Sequence, residues 1–425
     1  MTTLNSTSFP KHFIQIRDRI IEGGENISID EDIDRYYNIV TFTINENSNS
    51  LNVLDSDGSN ALFSINGFLG HKKYDRVKIF YNNFPDNNTR LRATVNDCVQ
   101  VFDGYIDEII INENKTEGIN IDFTCKSTFG LIDERTTFLK SFNDTLNNIF
   151  VRALKETGVI DVLPYVYIQS NLANTVFMVP SDNNFGEVVN SLKRRYPLRI
   201  FQTGDGGVWI TTNSFFEPNV DKQLNVLTTT TNSQQGNFVL RFYEYTLNEN
   251  VFNINYGDRT NDVNTVLVVG MNTSGASLDI VGFEEQYGDL QNNLSPELLS
   301  VRTIYRRDIT NPLECRKLAQ ETLLNILQNR FVELDTFYLP VHQIGDLLRL
   351  KDSKVIPNNV SFLIKRRNVT INKQGIDCKI TAVRISINDI LFDNSLTMKL
   401  EELLRMDVLG LQGPLTQAAI QSNIQ

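Results

Sequence analysis

The side chains best suited to chemistry are few and scattered. His12, His71 and His342 are the only histidines, and each reads as a surface or boundary residue rather than a base. Asp30-Glu31-Asp32-Ile33-Asp34 puts carboxylates at the first, third and fifth positions of a calcium-loop register. Arg35 stands where that loop needs glycine, and Thr41 where it needs a bidentate glutamate, so the run reads as an exposed acidic turn. Asp55-Ser56-Asp57-Gly58-Ser59-Asn60 fails in the same way and reads as a loop. The pairs Glu284-Glu285 and Asp133-Glu134 would suit the acid and base of a glycosidase, but adjacency in sequence does not set the ~5 to 9 Å separation that chemistry needs.

No G-x-S-x-G elbow, phosphate loop of the G-x-x-x-x-G-K-[ST] kind or H-E-x-x-H occurs. Cys98, Cys125, Cys315 and Cys378 are widely spaced, with no C-x-x-C, and read as buried free thiols rather than disulfides or zinc ligands. The residues therefore point to no catalytic group, no metal and no cofactor. Lys193-Arg194-Arg195, Arg306-Arg307 and Lys365-Arg366-Arg367 are basic clusters without interleaved aromatics, and read mostly as solvated faces, with a protein interface as the second use.

The elements that would carry these residues are mostly strands. Residues 36 to 130 hold short β-branched and aromatic runs separated by Asn, Asp and Gly, as antiparallel strands and tight turns require. Examples are Tyr37 to Ile44, Arg76 to Tyr81 and Gly118 to Cys125. The tract from Cys98 to Ile111 is long enough for two strands, which makes Gly104 a bend or bulge of positive φ. The pattern then changes. Ser141-Phe142-Asn143-Asp144 resembles a capping box before an apolar stripe at Leu146, Ile149, Phe150, Ala153 and Leu154. A second helix should begin near Ser181 or Asp182, carry Phe185, Val188, Val189 and Leu192, and stop before Pro197. Gly204-Asp205-Gly206-Gly207 closes a hairpin.

Strands return at Phe238 to Phe242 and Thr265 to Gly270, followed by a helix capped by Thr310 or Asn311 with Pro312 at its first position. More strands follow near Val332 to Leu339, Leu347 to Lys351, Val360 to Asn372 and Asp377 to Ile387. A last amphipathic helix starts at Asn394 or Ser395 and stops at Gly410 before a polar tail; its stripe suits either a partner surface or the chain itself.

The chain of 425 residues is long enough for roughly three domains. Hydrophobic residues at 41% and charged residues at 21% suit a soluble folded protein. The N-terminus lacks a signal-peptide pattern, and no stretch reaches the ~18 apolar residues of a membrane span. With 40 Lys+Arg against 51 Asp+Glu, the net charge of -11 disfavours a surface whose main work is gripping phosphate backbones.

Two tracts carry a resemblance. Arg76-Val77-Lys78-Ile79-Phe80, then Val101-Phe102-Asp103-Gly104-Tyr105-Ile106-Asp107, then Ile119 to Gly130 resembles the first tube-like domain of baseplate hub proteins of contractile-tailed bacteriophages, the late control protein D-like tail hub family. Val341 to Leu350, with Gly345-Asp346, is similar to the Gly-Asp turn and strand of the hub's second tube-like domain. The stretch from Leu51 to Tyr74 departs from the family as an insertion, as do the helix and tail after Asn394.

The resemblance implies a mainly β fold with an α+β insert. The first tube-like antiparallel barrel would cover 1–135, a small α+β domain 136–215, the second barrel 216–392 with helix 312–329, and a C-terminal helix and tail 393–425. It also implies a non-enzymatic structural hub: a homotrimer whose six barrels match a sixfold tail tube above and a threefold central spike below. Its partners would be the tail tube protein, the spike protein and other baseplate proteins, with DNA passing through the lumen without specific binding. Its place would be the virion tail baseplate, reached from the host cytoplasm during assembly. The structural motif residues are then Phe102, Asp103, Gly104, Tyr105, Gly345 and Asp346. Two rival readings are a cell-wall polysaccharide hydrolase using an acidic pair, and a carbohydrate-binding tail protein with exposed aromatics on a β face.

Overall fold

The computed structural model describes residues 9–22, 24–45, 74–114, 118–134, 136–138, 142–156, 166–174, 176–179, 183–195, 198–212, 215, 223–227, 234–237, 242–258, 265–270, 281–285, 301–306, 309, 312–327, 330–351, 353, 356, 360–372 and 375–384. Expectations for Asp55 to Asn60, His71, residues 238–241 and the helix after Asn394 lie outside them.

The N-terminal β region contains β1 (Phe9–Ile16), β2 (Arg19–Glu22), β3 (Glu25–Asp32), β4 (Ile39–Asn45), β5 (Arg76–Phe84), β6 (Val99–Asn114) and β7 (Gly118–Ser127), with a short helix α1 (Asn87–Arg92). Period-two alternation decides which side of each strand is dry. On β4, Val40, Phe42 and Ile44 are buried, while Thr41 and Thr43 face outward. Phe42 lies opposite Phe123 on β7, their rings stacked 4.9 Å apart, and Thr43 opposite Asp122 donates its hydroxyl to that carboxylate at 2.6 Å. Such cross-strand pairs are what fix antiparallel register.

The middle of the chain supplies β8 (Thr136–Phe138), β9 (Phe142–Thr145), α2 (Leu146–Glu156), β10 (Val166–Gln169), α3 (Ser170–Ala173), β11 (Val176–Val179), β12 (Asn183–Asn184), α4 (Phe185–Arg195), β13 (Leu198–Gln202), β14 (Val208–Thr212), β15 (Gln223–Leu227) and β16 (Gln234–Asn237). Both expected helices form, but their starts move. Phe142–Thr145 is a strand paired with β11, and the Thr145 hydroxyl accepts the Asn148 N–H. For α4 the cap is Asn184, which accepts the Glu187 N–H at 2.8 Å while the Glu187 carboxylate accepts the Asn184 N–H at 3.2 Å. The apolar stripes Leu146, Ile149, Phe150 and Phe185, Val188, Val189, Leu192 meet in one core around Phe129. The five-stranded sheet β13-β14-β10-β15-β16 extends this unit past residue 215.

The remaining elements are β17 (Phe242–Thr246), β18 (Val251–Asp258), β19 (Thr265–Val269), β20 (Val281–Glu285), β21 (Val301–Tyr305), α5 (Pro312–Leu327), β22 (Arg330–Thr336), β23 (Leu347–Lys351), β24 (Ser361–Asn372) and β25 (Gly375–Arg384). The helix α5 packs Cys315, Ala319, Leu323 and Ile326 against Val266 and Val268 of the separate three-stranded sheet β20-β19-β21.

The N-terminal and C-terminal β regions share one 13-stranded sheet, in the order β18-β22-β25-β24-β3-β4-β7-β6-β5-β1-β2, with β23 joining β17 to β24. Pairing between β3 and β24 is the join. A single apolar core runs beneath both, from Ile14 to Val383. The architecture is mainly antiparallel β with an α+β insert, as the sequence implies. Among the cysteines, Cys125, Cys315 and Cys378 are buried free thiols, and Cys98 is half-buried and free.

Candidate functional site

The first motif sits on β6, a single strand of 16 residues rather than two strands with a bend. Phe102 is buried in the main core. Asp103, 3% exposed, takes a forked pair from Arg76 on β5, Nε to Oδ1 at 3.0 Å and Nη2 to Oδ2 at 2.7 Å. That fork raises the Arg76 pKa, and such two-point contacts fix direction as well as charge. The half-buried Tyr105 lies opposite Arg76 on one side and Lys126 on the other.

Gly104 lies in regular pairing between Val77 and Ser127, while the ladder irregularities fall on either side of it, at Val101 and Asp107. Its φ is not positive. The glycine is needed for another reason: a Cβ there would stand 2.2 Å from the Lys126 carbonyl oxygen and 2.5 Å from Phe102 Cζ. Gly104→Val is therefore expected to wedge β6 from β7, lowering stability by about 1 to 3 kcal/mol or more, since backbone cannot step aside as a flexible side chain can. A thermal unfolding midpoint equal to that of the unchanged protein would remove this explanation.

The second motif is a turn. Gly345 has φ 89°, where only glycine is free of strain, and its N–H donates to the Ile364 carbonyl at 3.0 Å. The buried Asp346 accepts the Gln343 N–H through Oδ2 at 2.9 Å, and its own carbonyl accepts the Ile364 N–H. Gly345 and Asp346 thus dock the loop before β23 onto β24.

Three residues along β24, the two β regions are locked together. Arg367 lies opposite Glu31, with Arg366 opposite Asp32 and Asn368 opposite Asp30. Glu31 is 0% and Arg367 1% exposed, and Arg367 Nε donates to Glu31 Oε2 at 2.5 Å. Arg367 also donates through Nη1 to the His342 carbonyl and lies over the Tyr338 ring. The acidic run is therefore no exposed turn, and the third basic cluster is no merely solvated face: the two runs pair with each other. On the wet side of the same strands, Arg366 holds Asp30 at 3.2 Å, Arg35 holds Asp30 at 2.7 Å and Lys365 holds Asp34 at 2.6 Å.

His342 is likewise no boundary residue. It is 6% exposed, lies against the Tyr243 ring and shares a 2.5 Å hydrogen bond between Nδ1 and the Tyr245 hydroxyl. Burial and the Arg367 charge push its pKa down to about 3, while burial pushes the Tyr245 hydroxyl well up. The tyrosine is then the donor and His342 a neutral acceptor at Nδ1. Burial raises the Glu31 carboxyl against the opposing pull of Arg367. Tyr81, whose hydroxyl donates to Asn83 at 2.6 Å, packs 4.7 Å from Tyr338, and Asn83 donates to the Tyr338 carbonyl at 3.0 Å.

The insert is pinned to this joint. Lys193 on α4 donates to the Asp34 carbonyl, which carries the first basic cluster into the same region. Asn38 donates to the Gln202 carbonyl at 2.7 Å, Gln202 accepts the Phe129 N–H at 2.8 Å, and the hairpin residue Asp205 adds its negative field to that of Glu31. Burial works against ionisation of both Arg199 and Asp34, yet Asp34 stays below the usual carboxylate range because Arg199, Lys365 and Lys193 surround it.

At the centre of this arrangement the Glu31–Arg367 pair is sealed from solvent and ties the strands together, while the pairs among Asp30, Asp34, Arg35, Lys365 and Arg366 lie at its partly exposed rim. His12 is also in structural use, its Nε2 accepting the Gly24 N–H at 2.9 Å. Among the described residues, no group of three or more His, Cys, Asp or Glu is gathered as a metal ion would need. The side chains of Glu284, Glu285, Asp133 and Glu134 lie outside the described residues.

The joint was within reach of period-two reading. Ile27, Ile29, Glu31 and Ile33 share one face, as do Arg367, Val369 and Ile371, and all seven are buried.

Two solved structures share this architecture. One is the 43 kDa tail protein of prophage MuSo2 from Shewanella oneidensis, 13% identical with a TM-score of 0.55 over 89% of this chain and 99% of that one. The other is the tail protein from Neisseria meningitidis MC58, 10% identical with a TM-score of 0.57 over 90% of this chain and 99% of that one. No protein-family model matches the chain, and neither does any curated protein. At these identities the likeness is one of fold: the chain shares the mainly β architecture of these two tail proteins over 89% and 90% of its length.

Proposed function

We propose that this chain is a structural component of a phage or phage-like tail, and within it the baseplate hub that joins the sixfold tail tube to the threefold central spike. The observation that carries the reading is the shared fold, which takes in 99% of each of two tail proteins rather than one common domain of them. The continuous sheet supports it: β3 and β24 tie the N-terminal and C-terminal β regions into one wall, as a load-transmitting ring would need.

On this reading, 1–135 and 216–392 act as two similar tube-like domains, and three copies close a circle of six around a channel that passes DNA without gripping it. Ring closure also covers strand edges that would otherwise template aggregation. The tail tube protein, the spike protein and other baseplate proteins are the neighbours, in the virion tail baseplate after assembly in the host cytoplasm.

The test is particle imaging of the purified chain together with light scattering at micromolar concentration. Three copies in a ring with a central opening are expected. A monodisperse monomer would overturn the hub reading, and rings of another order would overturn the match to tube and spike.

A further inference from the structure

Three polar atoms in the joint between the β regions are buried and have no protein partner: Glu31 Oε1, Arg367 Nη2 and Tyr338 Oη. The residues that carry them are 0%, 1% and 2% exposed. They are neighbours. Glu31 and Arg367 already touch through Oε2 and Nε at 2.5 Å, and Arg367 Cζ lies 5.3 Å from the centre of the Tyr338 ring. Buried polar atoms of this kind are nearly always satisfied in folded proteins, by protein or by ordered solvent.

Their chemistry selects the ligand. Glu31 Oε1 offers an acceptor; Arg367 Nη2 and the Tyr338 hydroxyl offer donors, since guanidinium does not give up its proton and burial keeps the phenol neutral. An anion would meet the Glu31 carboxylate. A cation would meet the Arg367 guanidinium. A small neutral molecule that both donates and accepts meets neither objection, and three polar partners are the usual complement of a buried water.

We propose that one ordered water molecule binds in this joint, donating to Glu31 Oε1 and accepting from Arg367 Nη2 and Tyr338 Oη. It ties β3, β24 and the segment carrying Tyr338 into one polar knot, so the two β regions are joined through solvent as well as through the ion pair.

The test is a crystal structure of the full chain that shows ordered solvent, paired with oxygen-17 magnetic relaxation dispersion, which counts long-lived internal waters in solution. A peak within about 2.6 to 3.2 Å of all three atoms is expected. Tyr338→Phe leaves the ion pair in place and removes one of three partners, so its peak should weaken or vanish and the solution count should fall by one. A direct contact between Glu31 Oε1 and Arg367 Nη2 with no solvent peak would overturn the proposal. So would a peak that anomalous scattering identifies as an ion, or an unchanged water count in Tyr338→Phe with its peak at full strength.

Discussion

Arg367→Met is expected to lower the stability of the joint by about 3 to 5 kcal/mol, because it leaves the Glu31 carboxylate buried without its counter-charge. Glu31 is fully buried, with Oε2 given over to Arg367 Nε, so bulk solvent does not reach the orphaned charge to screen it. The carboxyl is already held above its ordinary range by burial, and removing Arg367 removes the main force opposing that rise. The loss should therefore shrink on acidification, as Glu31 takes up a proton. Glu31→Met combined with Arg367→Met should recover most of the lost stability, since two apolar side chains carry no desolvation cost. Hydrogen exchange of β24 amides reads the joint itself; exchange as slow in Arg367→Met as in the unchanged protein would show that the pair does not hold these strands.

His342 gives the second large effect, on pH dependence. Its pKa falls from an ordinary 6.5 to about 3 in the folded chain because burial and the Arg367 charge both disfavour the imidazolium. The unfolded chain binds this proton below about pH 6.5 and the folded chain does not until about pH 3, so the stabilising contribution is whole above 6.5 and drains away as the pH falls toward 3. The limiting slope is one proton, about 1.4 kcal/mol per pH unit. Glu31 and Asp32 act the other way, since burial pushes both carboxyls up and so favours the folded state at lower pH. The readout is therefore the difference between the unchanged protein and His342→Gln, whose stability should fall less steeply across this window. A ring-proton resonance of His342 that shifts between pH 7 and 5 would show that the imidazole is not protected as the geometry requires.

Local order was legible wherever composition repeats with a period. The alternation of Val40, Phe42 and Ile44 gave a strand with one dry face, and the stripe of Cys315, Ala319, Leu323 and Ile326 gave a helix beginning at Pro312, because period and the absence of an N–H at proline act over a few residues. Caps were less legible: Asn184 closes α4 through Glu187, two residues past the expected start at Ser181 or Asp182, since several Ser, Asp and Asn residues compete there and only the fold chooses among them. At Gly104 the expected bend of positive φ gives way to close packing against another strand. Its neighbours in sequence say nothing of the Lys126 carbonyl that crowds it, which belongs to another strand.

By itself, then, the amino-acid sequence determined the mainly β character, the α+β insert between two strand-rich regions, the free thiols and the glycine at the Gly345 turn. The β and α+β character follows from backbone preferences and hydrophobic period within short stretches of chain, the thiols from the spacing of the cysteines, and the Gly345 turn from the resemblance to the tail hub family. Only the tertiary structure decided that Glu31 and Arg367, separated by 336 residues, would face each other. It likewise decided that His342 would be sealed beside Tyr243 and Tyr245, that Lys193 would bring the insert to Asp34, and that the two β regions would form one sheet. Charge runs look like solvent-facing surface until a complementary run arrives, because the pairing that turns exposure into burial is made by strands far apart in the chain.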